Sequence, residues 1–313
     1  MAWLEITVPT TAQSIAAVTN ALTAGGFPDL VIEDQAEFEL FLEENQEYWD
    51  YIDESLQQKL EGLSNIKLYL ETGDDAGMDR LKAIVSRLGL SMTVSQLPDV
   101  DYEESWKDSY PPQPIGKSLL VLPYWLADTG TDGRKPVILD PGLTFGTGAH
   151  PSTQMVMEAM EELVQPGDHC LDLGSGSGIL SIAALRLGAA DAIGIDIDPK
   201  AEDIARENAG YNGFAAPEFT ALTGNVTADK ALMQRLSERE NSVVLVNIVA
   251  DVIIGLAPTL PAFLTENSRL ICSGILDTRL DDVTGALTAA GLRILQIRQK
   301  EDWRCVVAER SSL

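Results

Sequence analysis

From Asp168 to Ala290 the sequence switches five times between a short apolar run and an amphipathic stretch, and this alternation restricts the fold more than any other feature. The runs HCLDLG, AIGIDID, PEFTALTG, SVVLVNIV and SRLICSGI each precede a segment with helical spacing, the first being ILSIAALRLG. Strands that read as continuous apolar runs are buried on both faces, and strands joined through helices run parallel. The prediction is an α/β domain with a doubly wound, mostly parallel sheet. Its end departs from the pattern. Only Glu301 and Asp302 separate LRILQIRQK from WRCVVAER, which predicts a terminal hairpin and one antiparallel strand.

A chain of 313 residues exceeds most single cores, so a second domain is expected. It precedes the first. AWLEITV reads as a strand, Thr11 to Gly25 as a helix, DLVIEDQAEFELFLEE and NIKLYLET as strands, MDRLKAIVSRLGL as an amphipathic helix and SMTVSQLP as a strand. The order βαββαβ predicts a small α+β split-βαβ (ferredoxin-like) domain over residues 1–97, with a helical insertion at 43–63. Residues 98–116 hold four prolines and read as an interdomain connection, leaving 117–313 as the larger unit.

Net charge is -26, and between Met1 and Gln58 there are twelve carboxylates and no Lys or Arg. Such a chain repels a polyanion, so direct nucleic-acid binding is disfavoured, whereas a basic partner is attracted. The same acidity also serves solubility alone. Cys170, Cys272 and Cys305 sit apart in apolar runs, which predicts buried free thiols in a reducing compartment. With only two histidines, His150 and His169, no metal site is expected. No apolar run reaches the ~18 residues of a membrane span, and MAWLEITVPT lacks the basic flank of a signal peptide.

The stretch CLDLGSGSGIL ends the first strand of the larger unit, where open α/β sheets bind their ligands. Its glycines, Gly174, Gly176 and Gly178, fit a dinucleotide loop poorly because Ile179 fills the third fingerprint position. Asp172, two residues before the loop, is expected at the mouth of the site. A carboxylate there disfavours a pyrophosphate and suits an ammonium or sulfonium. S-adenosylmethionine carries both, and its single carboxylate is expected to use loop N–H groups. Asp196, 22 residues after Gly174, stands where an acid accepts from ribose hydroxyls, a device that NAD enzymes share. Asp198 before Pro199 reads as a helix cap. Asn225 and Val226, after the third strand, are candidates for adenine contact.

Transfer of a methyl from a sulfonium requires a neutral nucleophile in line and little beyond positioning. Asn247 ends the fourth strand, like the Asn of amino-methyltransferases that use an N-P-P-Y turn. The Pro-Pro-Tyr is missing here, which points to an aliphatic amine rather than a planar base; a plain helix-capping role for Asn247 stays open. DPGLTFGTGAHPSTQM (140–155) lacks the lysine of a phosphate loop, and Pro151 with Ser152 and Thr153 also suits simple helix capping.

Taken in order, DPGLTFGTGAHPST, LDLGSGSGIL, IGIDIDP, VNIVAD and SGIL (273–276) resemble the ribosomal protein L11 methyltransferases, the PrmA family. The resemblance spans nearly the whole chain and is strongest over 100–313. It implies a class I S-adenosylmethionine-dependent methyltransferase that is cytoplasmic; a monomer is expected. Its implied partner is a basic ribosomal protein, methylated at its N-terminal α-amine and at lysines, with the N-terminal domain recognising that substrate. Position by position, cofactor contacts fall on Thr153, Gly174, Asp196 and Asn247, while Phe145 and His150 border the methyl and the target amine. From the residues themselves, Asp172, Gly176 and Asn225 join the cofactor set. The alternative on the same fold is an amine methyltransferase for another protein or a small molecule.

Overall fold

The computed structural model describes residues 3–11, 13–34, 64–96, 107, 110–141 and 147–311. The predicted 43–63 insertion and Phe145 lie outside them. Two compact units divide the chain, residues 1–109 and 110–313.

In the first unit the described elements are β1 (Trp3–Pro9), α1 (Ile15–Ala24), β2 (Val31–Asp34), β3 (Ser64–Glu71), α2 (Asp75–Arg87) and β4 (Thr93–Gln96). The strands lie in the order β2-β3-β1-β4, each antiparallel to its neighbours. Each β-α-β crossover therefore brackets a strand of the other. Period-two alternation buries Ile6, Val8, Ile66 and Leu68 on one face, where Val18 and Leu22 of α1 and Leu81 and Val85 of α2 cover them. Asp74 caps α2 by accepting from Gly77 N at 2.8 Å. On the opposite face Glu33 pairs with Lys67 at 2.6 Å, and the Tyr69 hydroxyl donates to Glu5 at 3.3 Å.

The second unit begins with a three-stranded sheet of β5 (Gln113–Ile115), β6 (Leu119–Pro123) and β7 (Lys135–Leu139), in which β6 and β7 are parallel. β5 falls inside the proline-rich 98–116 segment and is only three residues long, as its prolines require. The chain continues through α3 (Pro151–Leu163), β8 (His169–Leu173), α4 (Ile179–Leu187), β9 (Asp191–Asp196), α5 (Pro199–Tyr211), β10 (Phe219–Thr223), α6 (Lys230–Ser237), β11 (Val243–Asn247), α7 (Ala250–Leu256), β12 (Arg269–Leu276), α8 (Leu280–Ala289), β13 (Leu292–Lys300) and β14 (Trp303–Arg310).

The seven strands β8–β14 form one sheet in the order β10-β9-β8-β11-β12-β14-β13. β8 to β12 are mutually parallel, and β14 enters antiparallel between β12 and β13. Both faces are apolar. Cys170, Val243 and Leu245 face a cluster shared with α3, α4, α5 and the small sheet. Their alternates Leu171, Val244 and Val246 face α6, α7 and α8. Each fully buried aliphatic side chain contributes roughly 1.5–3 kcal/mol of transfer free energy, so this double cover dominates the unit's stability. All three cysteines are buried and free. ADVIIGLAPTLPAFL, read as a single helix, breaks into α7 and a 3-10 turn at Leu260–Phe263, because Pro258 and Pro261 bring no N–H to the helical ladder. Among the described residues no helix is long and apolar enough to cross a membrane.

Candidate active site

The order of the sheet reverses between β8 and β11, so the carboxyl ends of those strands flank the crevice where such sheets bind ligands. β8 leads into Gly174, which adopts a left-handed conformation at φ 78° and packs so tightly that an added Cβ would lie 2.4 Å from Ile248 Cγ2. The loop amides turn inward. Gly174 N and Ser175 N donate to Ile195 O at 2.8 and 3.0 Å, Gly178 N donates to Ser175 O at 2.8 Å, and Gly176 N donates to an Asp196 carboxylate oxygen at 2.9 Å. These four N–H groups form no anion cradle. All four are committed within the fold, against the expectation that the cofactor's carboxylate would use loop N–H groups.

Asp172 also departs from expectation. It is fully buried beneath the loop rather than at an open mouth, because it is the fourth residue of β8 and its side chain points toward α4. There Oδ2 accepts from Ser181 N at 3.2 Å and Ser181 Oγ at 2.8 Å, while Oδ1 is buried without a hydrogen-bond partner. Burial, reinforced by the charge of Asp196, raises its carboxyl from 3.8 to about 7 despite the bonds from Ser181. An ionised carboxylate with one unsatisfied oxygen suits a cationic ligand and opposes an anionic one.

Asp196 ends β9. One of its carboxylate oxygens accepts from Gly176 N and the other from Asp198 N at 3.0 Å, so two of roughly four acceptor positions remain for a diol. Asp198 caps α5 through Lys200 N at 2.9 Å. Next to Asp196 is Ile197, 68% exposed, an apolar side chain that the sequence reading passed over. Asn225 is exposed, and its side-chain oxygen closes a turn on Thr227 N and Oγ1 at 2.9 and 2.6 Å, so that oxygen is committed locally.

The central juxtaposition joins two residues far apart in sequence. Asn247, the last residue of β11, donates through Nδ2 to Oγ1 of the buried Thr153 at 3.1 Å. The carboxamide is thereby oriented with its nitrogen toward α3 and its oxygen away from it. Gly274 makes the turn after Asn247 possible. It adopts φ 84° within a register shift of β12, and a Cβ there would lie 2.3 Å from Ile248 O. Ile248 N donates to Ser273 O at 3.2 Å. The sequence reading noted SGIL without giving it a role; a glycine within an apolar strand run is itself the mark of a bulge or a close backbone approach.

His150 is the N-cap of α3: its Nδ1 accepts from Ser152 N at 3.3 Å and pairs with Ser152 Oγ at 2.7 Å. A backbone amide can only donate, so the neutral ring carries its hydrogen on Nε2. Burial lowers its pKa below 6.5, with Glu301 opposing. Its ring stands edge-to-face on Trp303, with centroids 4.5 Å apart. Asn208, buried on α5, links β7 to the glycine loop by accepting from Asp140 N at 2.9 Å and donating to Ser177 O at 2.8 Å.

A doubly wound sheet with its final strand inserted antiparallel, carrying an acid under the glycine loop and another at the end of the next strand, defines a class I S-adenosylmethionine-dependent methyltransferase. The described residues fit that cofactor: an unsatisfied buried carboxylate oxygen lies beneath the loop, and acceptor capacity remains on Asp196. The family model described as ribosomal protein L11 methyltransferase (PrmA) matches residues 2–311, and the chain belongs to that family. Similar curated proteins include the ribosomal protein L11 methyltransferase of Exiguobacterium sp., 34% identical over 99% of this chain and 100% of that one. Another is that of Heliobacterium modesticaldum, 33% identical over 100% and 99% of the two chains. Among solved structures, a ribosomal protein L11 methylase from Lactobacillus delbrueckii subsp. bulgaricus is 29% identical and covers 65% of this chain and 100% of its own, with a TM-score of 0.58.

Proposed function

We propose that this protein methylates amines of ribosomal protein L11, namely its N-terminal α-amine and lysine side chains. The observation that carries the reading is the Asn247–Thr153 pair at the carboxyl end of β11. Thr153 holds the carboxamide nitrogen, so Oδ1 is the end able to accept from an amine N–H and aim the lone pair. No aromatic clamp for a planar base accompanies it in the sequence, which favours an aliphatic amine.

S-adenosylmethionine, when bound, supplies a methyl group on a sulfonium. The neutral amine, aimed by Asn247 Oδ1, would take up that methyl, and its surplus proton would pass to water. His150 is not the acceptor of that proton, because its Nδ1 is committed to Ser152. Asp196 would hold the ribose hydroxyls, Thr153 and Gly174 would border the methionine end with Asp172 below, and Ile197 offers an apolar surface to the adenine. Asn225 remains a candidate near the adenine through atoms other than its turn-closing oxygen. Phe145 is assigned beside the amine by family resemblance alone. The N-terminal unit recognises the substrate, a role that its twelve carboxylates and absence of Lys or Arg up to Gln58 suit when the partner is basic.

The test is transfer of labelled methyl to unmethylated ribosomal protein L11, with Asn247→Ala as comparison. Wild type should label L11, and the variant should lose on the order of 100-fold in kcat. No label from wild type, or equal label from the variant, overturns the reading. Calorimetry should give binding of S-adenosylmethionine and none of NADH.

A further inference from the structure

We infer that Trp303, at the start of β14, is a positioning residue for methyl transfer: its indole buttresses the His150 ring that caps α3, one helical turn from Thr153. The inference rests on the proposed reaction and adds a residue that the sequence reading did not assign.

The geometry begins at the hairpin tip. Glu301 adopts φ 52°, a left-handed conformation that costs a non-glycine residue energy and persists only where its surroundings enforce it. The enforcing group is Arg304, 7% exposed, which donates to Glu301 O at 3.1 Å and Trp303 O at 2.9 Å and pairs with Asp277 at 2.6 Å. Asp277 N donates to Asp302 O at 2.8 Å, closing the tip onto the end of β12. The backbone of Trp303 is therefore clamped on both sides. Its indole in turn packs on the larger unit's core and lies edge-to-face on His150 at 4.5 Å and 72°.

The consequence follows from charge. The site receives a sulfonium, and an imidazolium three residues from Thr153 would place a second cation beside it. Like charges at short range in a partly desolvated site oppose binding and reaction alike. The indole packs against the imidazole at 4.5 Å, and burial disfavours the charged ring. Among the described charged groups on α3 and the hairpin, Glu301 acts in the opposite sense on His150. Lys300 is paired with Glu158 at 3.3 Å, Arg298 with Glu162, and Arg304 with Asp277 at 2.6 Å. Burial prevails over Glu301.

The chain has only two histidines, so the ring titrations are separable by NMR, with His169→Gln identifying the His150 signal. In wild type and Trp303→Phe, His150 should titrate below 6.5, and in Trp303→Ala its midpoint should rise. Trp303→Ala should therefore lose more kcat at pH 6 than at pH 8, and Trp303→Phe should not. An unchanged midpoint in Trp303→Ala overturns the inference. So does a loss of activity that is equal at pH 6 and pH 8 and follows thermal stability, which marks a structural role. If wild type labels no L11, the proposed function fails, while the NMR titration still tests the Trp303–His150 coupling by itself.

Discussion

Asp172 combines a fully buried carboxylate, one oxygen held by Ser181 and the other without a partner. Its carboxyl titrates near 7 in the folded chain against 3.8 ordinarily, so the folded state binds the proton more tightly than the unfolded one. The stabilising protonated form is fully present below 3.8 and is lost as pH rises through about 7. Without cofactor, thermal stability of wild type should fall between pH 5 and pH 8, the full linkage amounting to on the order of 4 kcal/mol. Asp172→Asn should flatten that dependence, and parallel melting curves for the two proteins would refute the assignment. At this scale the sequence revealed the residue and the sign of its charge but not its depth. Spacing along a strand says which residue is fourth, whereas the turn of α4 that brings Ser181 over it is a tertiary fact. Asn247 was legible for the same local reason, at the end of an apolar run. Its partner Thr153 was not legible as a partner, because 94 residues separate them.

The bulge in β12 shows how an element can serve the site without a functional side chain. Gly274 clears the Ile248 carbonyl and thereby sets the path by which β11 delivers Asn247. Gly274→Ala should cost about 2 kcal/mol or more in stability, through positive φ and steric overlap together, and should lower kcat at temperatures where the fold survives. Gly285→Ala, in α8 with open space at the Cβ position, should instead stabilise by roughly 0.5–1 kcal/mol. Chemical denaturation of both variants checks the pair, and equal effects would refute the steric account. Strands and helices of the larger unit were readable because each apolar run alternates between two buried faces. The bulge and the break after α7 were less so. Their signals are a single glycine in a strand and two prolines in a helix, and both act against the stronger periodic pattern around them.

For the whole molecule, charge is the most informative property. A net charge of -26 with a base-free opening segment should accelerate encounter with a basic substrate and do so less as salt screens the field. KM for L11 should rise roughly tenfold between about 0.05 and 0.5 M salt while kcat stays level, and a flat KM would mean that the acidity serves solubility alone. Steady-state kinetics at a series of salt concentrations decides this. Length and alternation predict an acidic leading unit and a larger α/β unit, since each needs its own core. The strand order of the larger sheet was only partly legible: a two-residue turn announces that β13 and β14 pair, yet nothing local says that β14 slips between β13 and β12. That insertion has a consequence for synthesis. Chains leave the ribosome in sequence order, so β12 and β13 emerge while the strand that must join them is still being made. Until residues 303–310 are free, β12 keeps an unpaired edge open to any passing strand. The same late segment carries Trp303, so the sheet's closure and the wall beside His150 are completed in one event, and a nascent chain holds neither.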